Sequence, residues 1–225
     1  MQAKTFLCAF ILFFLQSSLS AQEKYIEYVG GLNISQFFEL RKDIYYRTSY
    51  PIGLGFNFGV RYQTYLPEGE SIVLSLQLLQ QSGGEMESFG HRFWSSYKDI
   101  RFTTYYMVFG IYVPIKNNRD NNLEFDFGFE ALCRIAESAH GVSSSYNSYT
   151  GERHESTTFE LQTTQIPINL FTSVSYPIPT NKNLVLVPKW WTRIGLSNRL
   201  RQSSNVHNLM IGLELGLRYQ LKKSK

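Results

Sequence analysis

The chain has 225 residues, a formal net charge of +4, 16% aromatic residues and two cysteines, Cys8 and Cys133. Its basic residues are spread without a Lys/Arg block, so no nucleic-acid partner is expected. A body of roughly 200 residues suits one undivided all-β domain.

The N-terminus reads "MQAKTFLCAFILFFLQSSLSAQEKY": one basic residue, Lys4, an apolar run from Phe6 to Leu15, then the small residues Ser18, Ser20 and Ala21. The run is too short to cross a bilayer as a helix, which takes about 20 apolar residues. Its three parts are those of a secretory signal peptide. Cleavage is expected after Ser20 or Ala21, so residues 1–21 are assigned to the signal peptide and 22–225 to the mature domain. Cys8 would leave with the peptide, and Cys133 would have no disulfide partner.

Beyond that point, period-two alternation recurs in eight segments of about ten residues or more, the length a tilted strand needs to cross a membrane. The first, Tyr25 to Gln36, sets Ile26, Tyr28, Leu32 and Ile34 on one face. The second, "YPIGLGFNFGVRYQTYL", opposes Ile52, Leu54, Phe56, Phe58, Val60 and Tyr62 to Gly53, Gly55, Asn57, Gly59, Arg61 and Gln63. The third runs from Ser71 to Gln81, and the fourth from Asp99 to Ile115 is aromatic on both faces, leaving its phase open. In the fifth, "NLEFDFGFEALCRIAE", Leu123, Phe125, Phe127 and Phe129 oppose Glu124, Asp126, Gly128, Glu130 and Arg134. The sixth spans Thr158 to Tyr176. The seventh, Leu184 to Leu200, sets Leu184, Leu186, Trp190, Thr192 and Ile194 against Val185, Lys189, Trp191, Arg193 and Gly195. The eighth, "NLMIGLELGLRYQL", closes the series with Glu214 and Arg218 on its polar face.

The connections alternate in length. "PEGE", "KNNRDNN" and "PIPTNKN" are short and built from turn-forming residues, whereas "ELRKDIYYRTS", "SGGEMESFGHRFWSSYK" and "SAHGVSSSYNSYTGERHES" are long; "RQSSN" is the exception. Short turns at one end and long loops at the other are the habit of an up-and-down barrel with both termini in the periplasm. A soluble β-sandwich also alternates, but its polar positions would not be filled by Gly53, Gly55, Gly59, Gly128, Gly195, Gly212 and Gly216. Small residues belong instead in the crowded interior of a small barrel. Tyr28, Tyr62, Tyr65, Tyr112, Tyr176, Trp190 and Tyr219 suit aromatic girdles at the two membrane interfaces. The expected fold is an eight-stranded antiparallel transmembrane β-barrel in the outer membrane.

Three stretches, "SAQ" at the end of the signal segment, "QIPINL" from Gln165 to Leu170, and the closing "IGLELGLRYQL", resemble small outer-membrane barrels, in particular the PorT-like family of Bacteroidetes-type bacteria. The resemblance implies a non-enzymatic barrel that partners an export or surface-assembly system. The chain departs from many such barrels in continuing past Tyr219 and Leu221 into "KKSK" instead of ending on an aromatic residue.

With polar faces inward, the lumen would gather Arg61, Glu124, Asp126, Glu130, Arg134, Lys189, Arg193, Glu214 and Arg218. Buried charges must pair or neutralise, and eight strands enclose a space that side chains fill. A salt-bridged plug is therefore favoured over a solute channel. Small barrels also include lipid A deacylases, and those that this chain resembles in size carry a His and a Ser two residues apart followed by Asn, the Ser attacking an acyl ester with the His as base. "GLSNRL" offers Ser197 and Asn198 but Gly195 in the His position, and "RHES" offers His154 and Ser156 without the Asn. No cofactor or metal is expected. In the loop "ESFGHRFWSSY", Arg92, Phe93, Trp94 and Tyr97 are candidates for contact with lipopolysaccharide, outer-membrane lipid or an envelope protein.

Overall fold

The computed structural model describes residues 24–39, 47–65, 70–91, 94–116, 123–157, 166–197 and 206–221. The segment expected to be a signal peptide, Arg92, Phe93 and the "RQSSN" connection lie outside these residues. Among them are eleven strands: β1 (Lys24–Glu39), β2 (Arg47–Ser49), β3 (Gly53–Tyr65), β4 (Ser71–His91), β5 (Trp94–Lys116), β6 (Glu124–Asn147), β7 (Glu152–Ser156), β8 (Ile168–Ser175), β9 (Ile178–Pro179), β10 (Leu184–Gly195) and β11 (Val206–Leu221).

Eight of them form a ring of antiparallel neighbours in the order β1, β3, β4, β5, β6, β8, β10, β11, with β11 pairing back onto β1. The register shows the closure directly. From Gly195 on β10 the pairing leads to Asn169, Glu130, Gly110, Ser75, Arg61, Glu27 and Arg218, and it returns to β10 at Val185. The return falls ten residues from the start, 195 minus 185. A ring of eight strands staggered by ten residues tilts its strands by about 40° from the barrel axis, within the normal range for closed barrels.

The period-two rule is clearest along β1, β8 and β11, whereas β3, β4 and β5 bury short consecutive runs such as Arg61 to Thr64 and Val73 to Ser75. Along β11, Met210, Gly212, Glu214, Gly216 and Arg218 are buried, whereas Ile211, Leu213, Leu215, Leu217 and Tyr219 are exposed. The turn "PIPTNKN" is held by Asn181, whose Oδ1 accepts from the backbone N–H of Asn183 (3.0 Å) and Leu184 (2.9 Å). This local hydrogen bonding is why Asn is favoured in turns.

Two expectations change. The segments read as long loops after the third and fifth strands are themselves strand. β4, β5 and β6 run for 21, 23 and 24 residues, about twice the 9–11 that a membrane crossing requires. Their far halves continue beyond the ring as an arm, flanked by β2 on β4 and by β7 on β6. His91, His140 and His154 accordingly lie on strands. Ser/Gly/Tyr-rich composition suggested loops, but a ladder of neighbours satisfies the backbone whatever the local propensity. The bulge opposite Tyr105 and Tyr106 displaces Ile135 from the register just where β6 leaves the ring.

The second change concerns Tyr112, which was assigned to an interfacial girdle. It points inward and is fully buried, because β5 carries aromatics on both faces and its partners set the phase. Tyr62 is buried as well, while Tyr28, Tyr176, Trp190 and Tyr219 are exposed. Only the backbone of Tyr65 is described.

Candidate functional site

The inward residues converge on the bore in layers. At the end carrying the termini, Glu27 of β1 is the hub. Arg218 Nε donates to its Oε2 at 2.8 Å, Arg61 Nη1 lies 3.3 Å from Oε1, and Lys189 Nζ lies 3.5 Å from the same oxygen. Each cation has a second acid: Arg218 reaches Glu124 at 2.9 Å, Lys189 reaches Asp126 at 2.9 Å, and Arg61 forks onto Glu214 through Nη1 and Nη2. Ser173 donates to Asp126 at 2.9 Å and Asn57 to Glu214 at 2.7 Å.

Deeper in the bore, Arg193 Nε donates to Glu130 Oε2 at 2.7 Å, and Tyr112 donates its hydroxyl to Glu130 Oε1 at 2.7 Å. Arg193 Nη2 reaches Gln77 Oε1 at 2.9 Å, which links this pair through Asn57 to Glu214. The guanidinium also stacks over the Trp191 ring, 4.0 Å from its centroid. All eight ring strands contribute at least one member of this network. In a low-dielectric interior, cations and acids arranged this way satisfy one another where an unpaired charge would not persist.

Of the nine residues expected in the lumen, eight belong to this connected set. Arg134 lies farther along the bore, opposite Tyr106, and bridges to Glu137 at 2.6 Å. Glu27, Asn57, Gln77, Tyr112 and Ser173 belong to the set without having been expected in it. Glu27 was legible in principle, since it shares its parity with Gly31 and Asn33 and sits between the outward Ile26 and Tyr28.

Along the rest of the passage apolar side chains interleave with the buried Asn33, Gln81, Thr104 and Asn208. Leu79, Tyr106, Val108, Leu132, Phe171, Trp191 and Met210 pack around Tyr112. Toward the arm, Phe37 of β1 meets Phe102 of β5 edge to face, with centroids 5.0 Å apart, and Val206 joins them. Phe37 lies past the last β1–β3 pair, Ser35 with Gly53, and rests against Gly83 of β4 as well, so the contact fills the bore between β1, β4 and β5. Gly212 makes room for this packing: a Cβ there would sit 2.2 Å from Trp191 Cζ2.

The outer wall is the reverse. Leu32 (72% exposed), Leu54, Phe58, Leu76, Val113, Phe129, Ile168, Trp190 and Leu213 (69% exposed) form an apolar band that involves every ring strand, and no described residue covers it. Monomeric soluble proteins rarely expose contiguous apolar patches beyond a few hundred Å². A side-chain-filled, closed ring of eight antiparallel strands with charge inside and an apolar belt outside is a transmembrane β-barrel.

No family model matches the chain, and no curated protein matches it significantly. Several solved structures are similar to the chain, among them the following. Neisserial surface protein A is 10% identical, with 89% of this chain and 99% of that one covered and a TM-score of 0.42. Ail, the attachment invasion locus protein of Yersinia pestis, is 12% identical over 88% and 100% of the two chains, with a TM-score of 0.38. OprG of Pseudomonas aeruginosa is 7% identical over 89% and 97%, with a TM-score of 0.38.

The candidate hydrolytic residues do not come together among the described residues. Ser197 Oγ accepts the backbone N–H of Ile168 at 3.0 Å, tying the far end of β10 to β8, and Asn198 lies outside the described residues. His154 and Ser156 stand on β7, whose side chains are all exposed. Of the proposed recognition residues, Trp94 opens β5, and Tyr97 is exposed on the arm (43%).

Proposed function

We propose that the protein is a non-enzymatic outer-membrane β-barrel whose ring is an anchor and whose arm is its recognition surface outside the cell. The observation that carries this reading is the filled bore. Arg61, Arg193, Trp191 and Phe171 occupy its centre at no more than 1% exposure, and the buried cluster of Phe37, Phe102 and Val206 packs above them. A solute path would need these layers to part. The arm lies at the end opposite the termini, which is the cell-surface end if this barrel follows the usual insertion. It presents Tyr97, Tyr146 and Tyr149 outward, residue types suited to lipopolysaccharide, outer-membrane lipid or an envelope protein. The PorT-like resemblance supports a place beside an export or surface-assembly system.

Purified protein reconstituted in planar bilayers should give no stepwise conductance. Stable single-channel steps in the wild type would overturn the anchor reading. Fractionation should recover the chain in outer membranes, with migration on unboiled gels that shifts on heating. Lipid A mass spectra from wild-type and deletion cells should coincide; a changed acylation pattern would establish lipid modification in its place.

A further inference from the structure

Among the described residues the arm ends in a strand with one neighbouring strand. β7, "ERHES", pairs with β6 from Glu152 opposite Asn147 to Ser156 opposite Ser143, and no other described strand lies along its second edge. The hairpin that presents it is well made: Gly151 takes a positive φ of 72°, its N–H donates to Asn147 O at 2.8 Å, and Asn147 Oδ1 accepts from Tyr149 N–H at 2.9 Å. An open edge exposes backbone donors and acceptors that can template a further strand. The charges along β7 determine which strand would fit.

We propose that β7 is a homotypic pairing edge, joining antiparallel to β7 of a second copy about His154. This deepens the recognition role of the arm and rests on it. In that register Arg153 faces Glu155 of the copy, and Glu155 faces Arg153, both pairs on one face. Glu152 faces Ser156, and His154 faces its own equivalent. Parallel, in-register pairing instead sets Glu152, Arg153 and Glu155 against themselves. Shifting the antiparallel register by one residue removes both attractive pairs. Within one chain Arg153 and Glu155 already bridge at 2.5 Å while remaining 69% and 53% exposed, so both can turn to a facing partner. Directly opposed charges of unlike sign stabilise paired strands, and like charges destabilise them.

Strand direction then fixes where the partner's membrane lies. β6 runs out of the ring into the arm, and β7 runs antiparallel to it. Antiparallel joining of β7 to its copy makes the partner's β6 run the opposite way, which puts its barrel at the other end of the joined sheet. Two barrels linked in this way sit in facing membranes. The partner is thus a second copy of this chain on an apposed surface, and the joined arms form one continuous sheet between them.

The test uses the full chain in phosphatidylcholine vesicles, with light scattering to follow clustering and accessibility of the arm to protease confirming its outward orientation. Wild-type vesicles should cluster. Arg153→Glu and Glu155→Arg should each lower the clustering constant roughly tenfold, since either reversal turns two attractive exposed pairs into repulsive ones. The double reversal should restore it. His154→Cys in a Cys133→Ser background should form a disulfide between vesicles. Absence of wild-type clustering, or a double reversal no better than either single, overturns the proposal. The heat-dependent gel shift of each variant verifies that the barrel is folded. Failure here with a folded, non-conducting barrel removes only the self-pairing, whereas the anchor reading fails on conductance.

Discussion

Replacing Arg193 with Met isolates the cost of an unpaired buried charge. The Met side chain keeps most of the arginine stem's volume, but Glu130 remains as a fully buried anion whose side chain is left with the Tyr112 hydroxyl at 2.7 Å. Breaking a buried pair by removing one partner costs about 3–5 kcal/mol. The lost stacking on Trp191 and the bond to Gln77 fall within that sum. If the uncompensated charge dominates, Arg193→Met combined with Glu130→Gln should recover most of the loss and end within about 1–2 kcal/mol of wild type, because removing both charges of a buried pair is often nearly neutral. The coupling between the sites would then be about 2 kcal/mol or more. Reversible urea unfolding in phospholipid vesicles, followed by tryptophan fluorescence, measures all four corners of the cycle. A double variant as unstable as Arg193→Met, or a single variant within about 1 kcal/mol of wild type, would refute the reasoning.

Leu213→Arg places a charge on the most apolar part of the outer wall and should cost about 2–4 kcal/mol in a bilayer near its midplane; a neutral or stabilising effect would argue for a water-facing surface. Gly212→Ala drives a methyl into the Trp191 ring and should cost about 1–3 kcal/mol by overpacking, with a shifted tryptophan emission as the independent sign. Glu87, on the arm, has its carboxyl pushed above the usual range by burial and by neighbouring Glu85 and Glu39, against the pull of Lys98. A raised carboxylate contributes stability that is present below its unfolded value and lost as pH rises through its folded one. Hydrogen exchange of the arm should therefore quicken as pH rises through the range above 4.5, after correction for intrinsic rates, and Glu87→Gln should flatten that dependence.

Much of the ring was legible because alternation records which side of a strand meets water, lipid or core. β11 could be read residue by residue, as could the outward Phe125, Phe127 and Phe129 of β6 and the charged inward row opposite them. The pattern weakens where both faces carry the same chemistry. Tyr112 and its neighbours on β5 are aromatic on either side, so only pairing to β4 and β6 turns Tyr112 inward. The arm was illegible for a related reason: Gly141, Ser143, Ser144 and Ser145 have little strand preference of their own and are extended because Asp99, Lys98, Tyr97 and Ser96 pair with them or their neighbours.

Parity along each strand is a local property, and the sequence by itself therefore determined an amphipathic, eight-stranded barrel with its charges facing inward. Which charge meets which is not local. Glu130 and Arg193 are 63 positions apart, and Arg218 and Glu27 are separated by 191. They meet because the ring closes with a stagger of ten residues, which sets the relative height of every inward side chain. Only the tertiary structure decided that Glu27 is the hub, which side chains fill the bore and at what height, and that the far halves of β4, β5 and β6 form an arm whose last described strand, β7, pairs with β6 alone among the described strands.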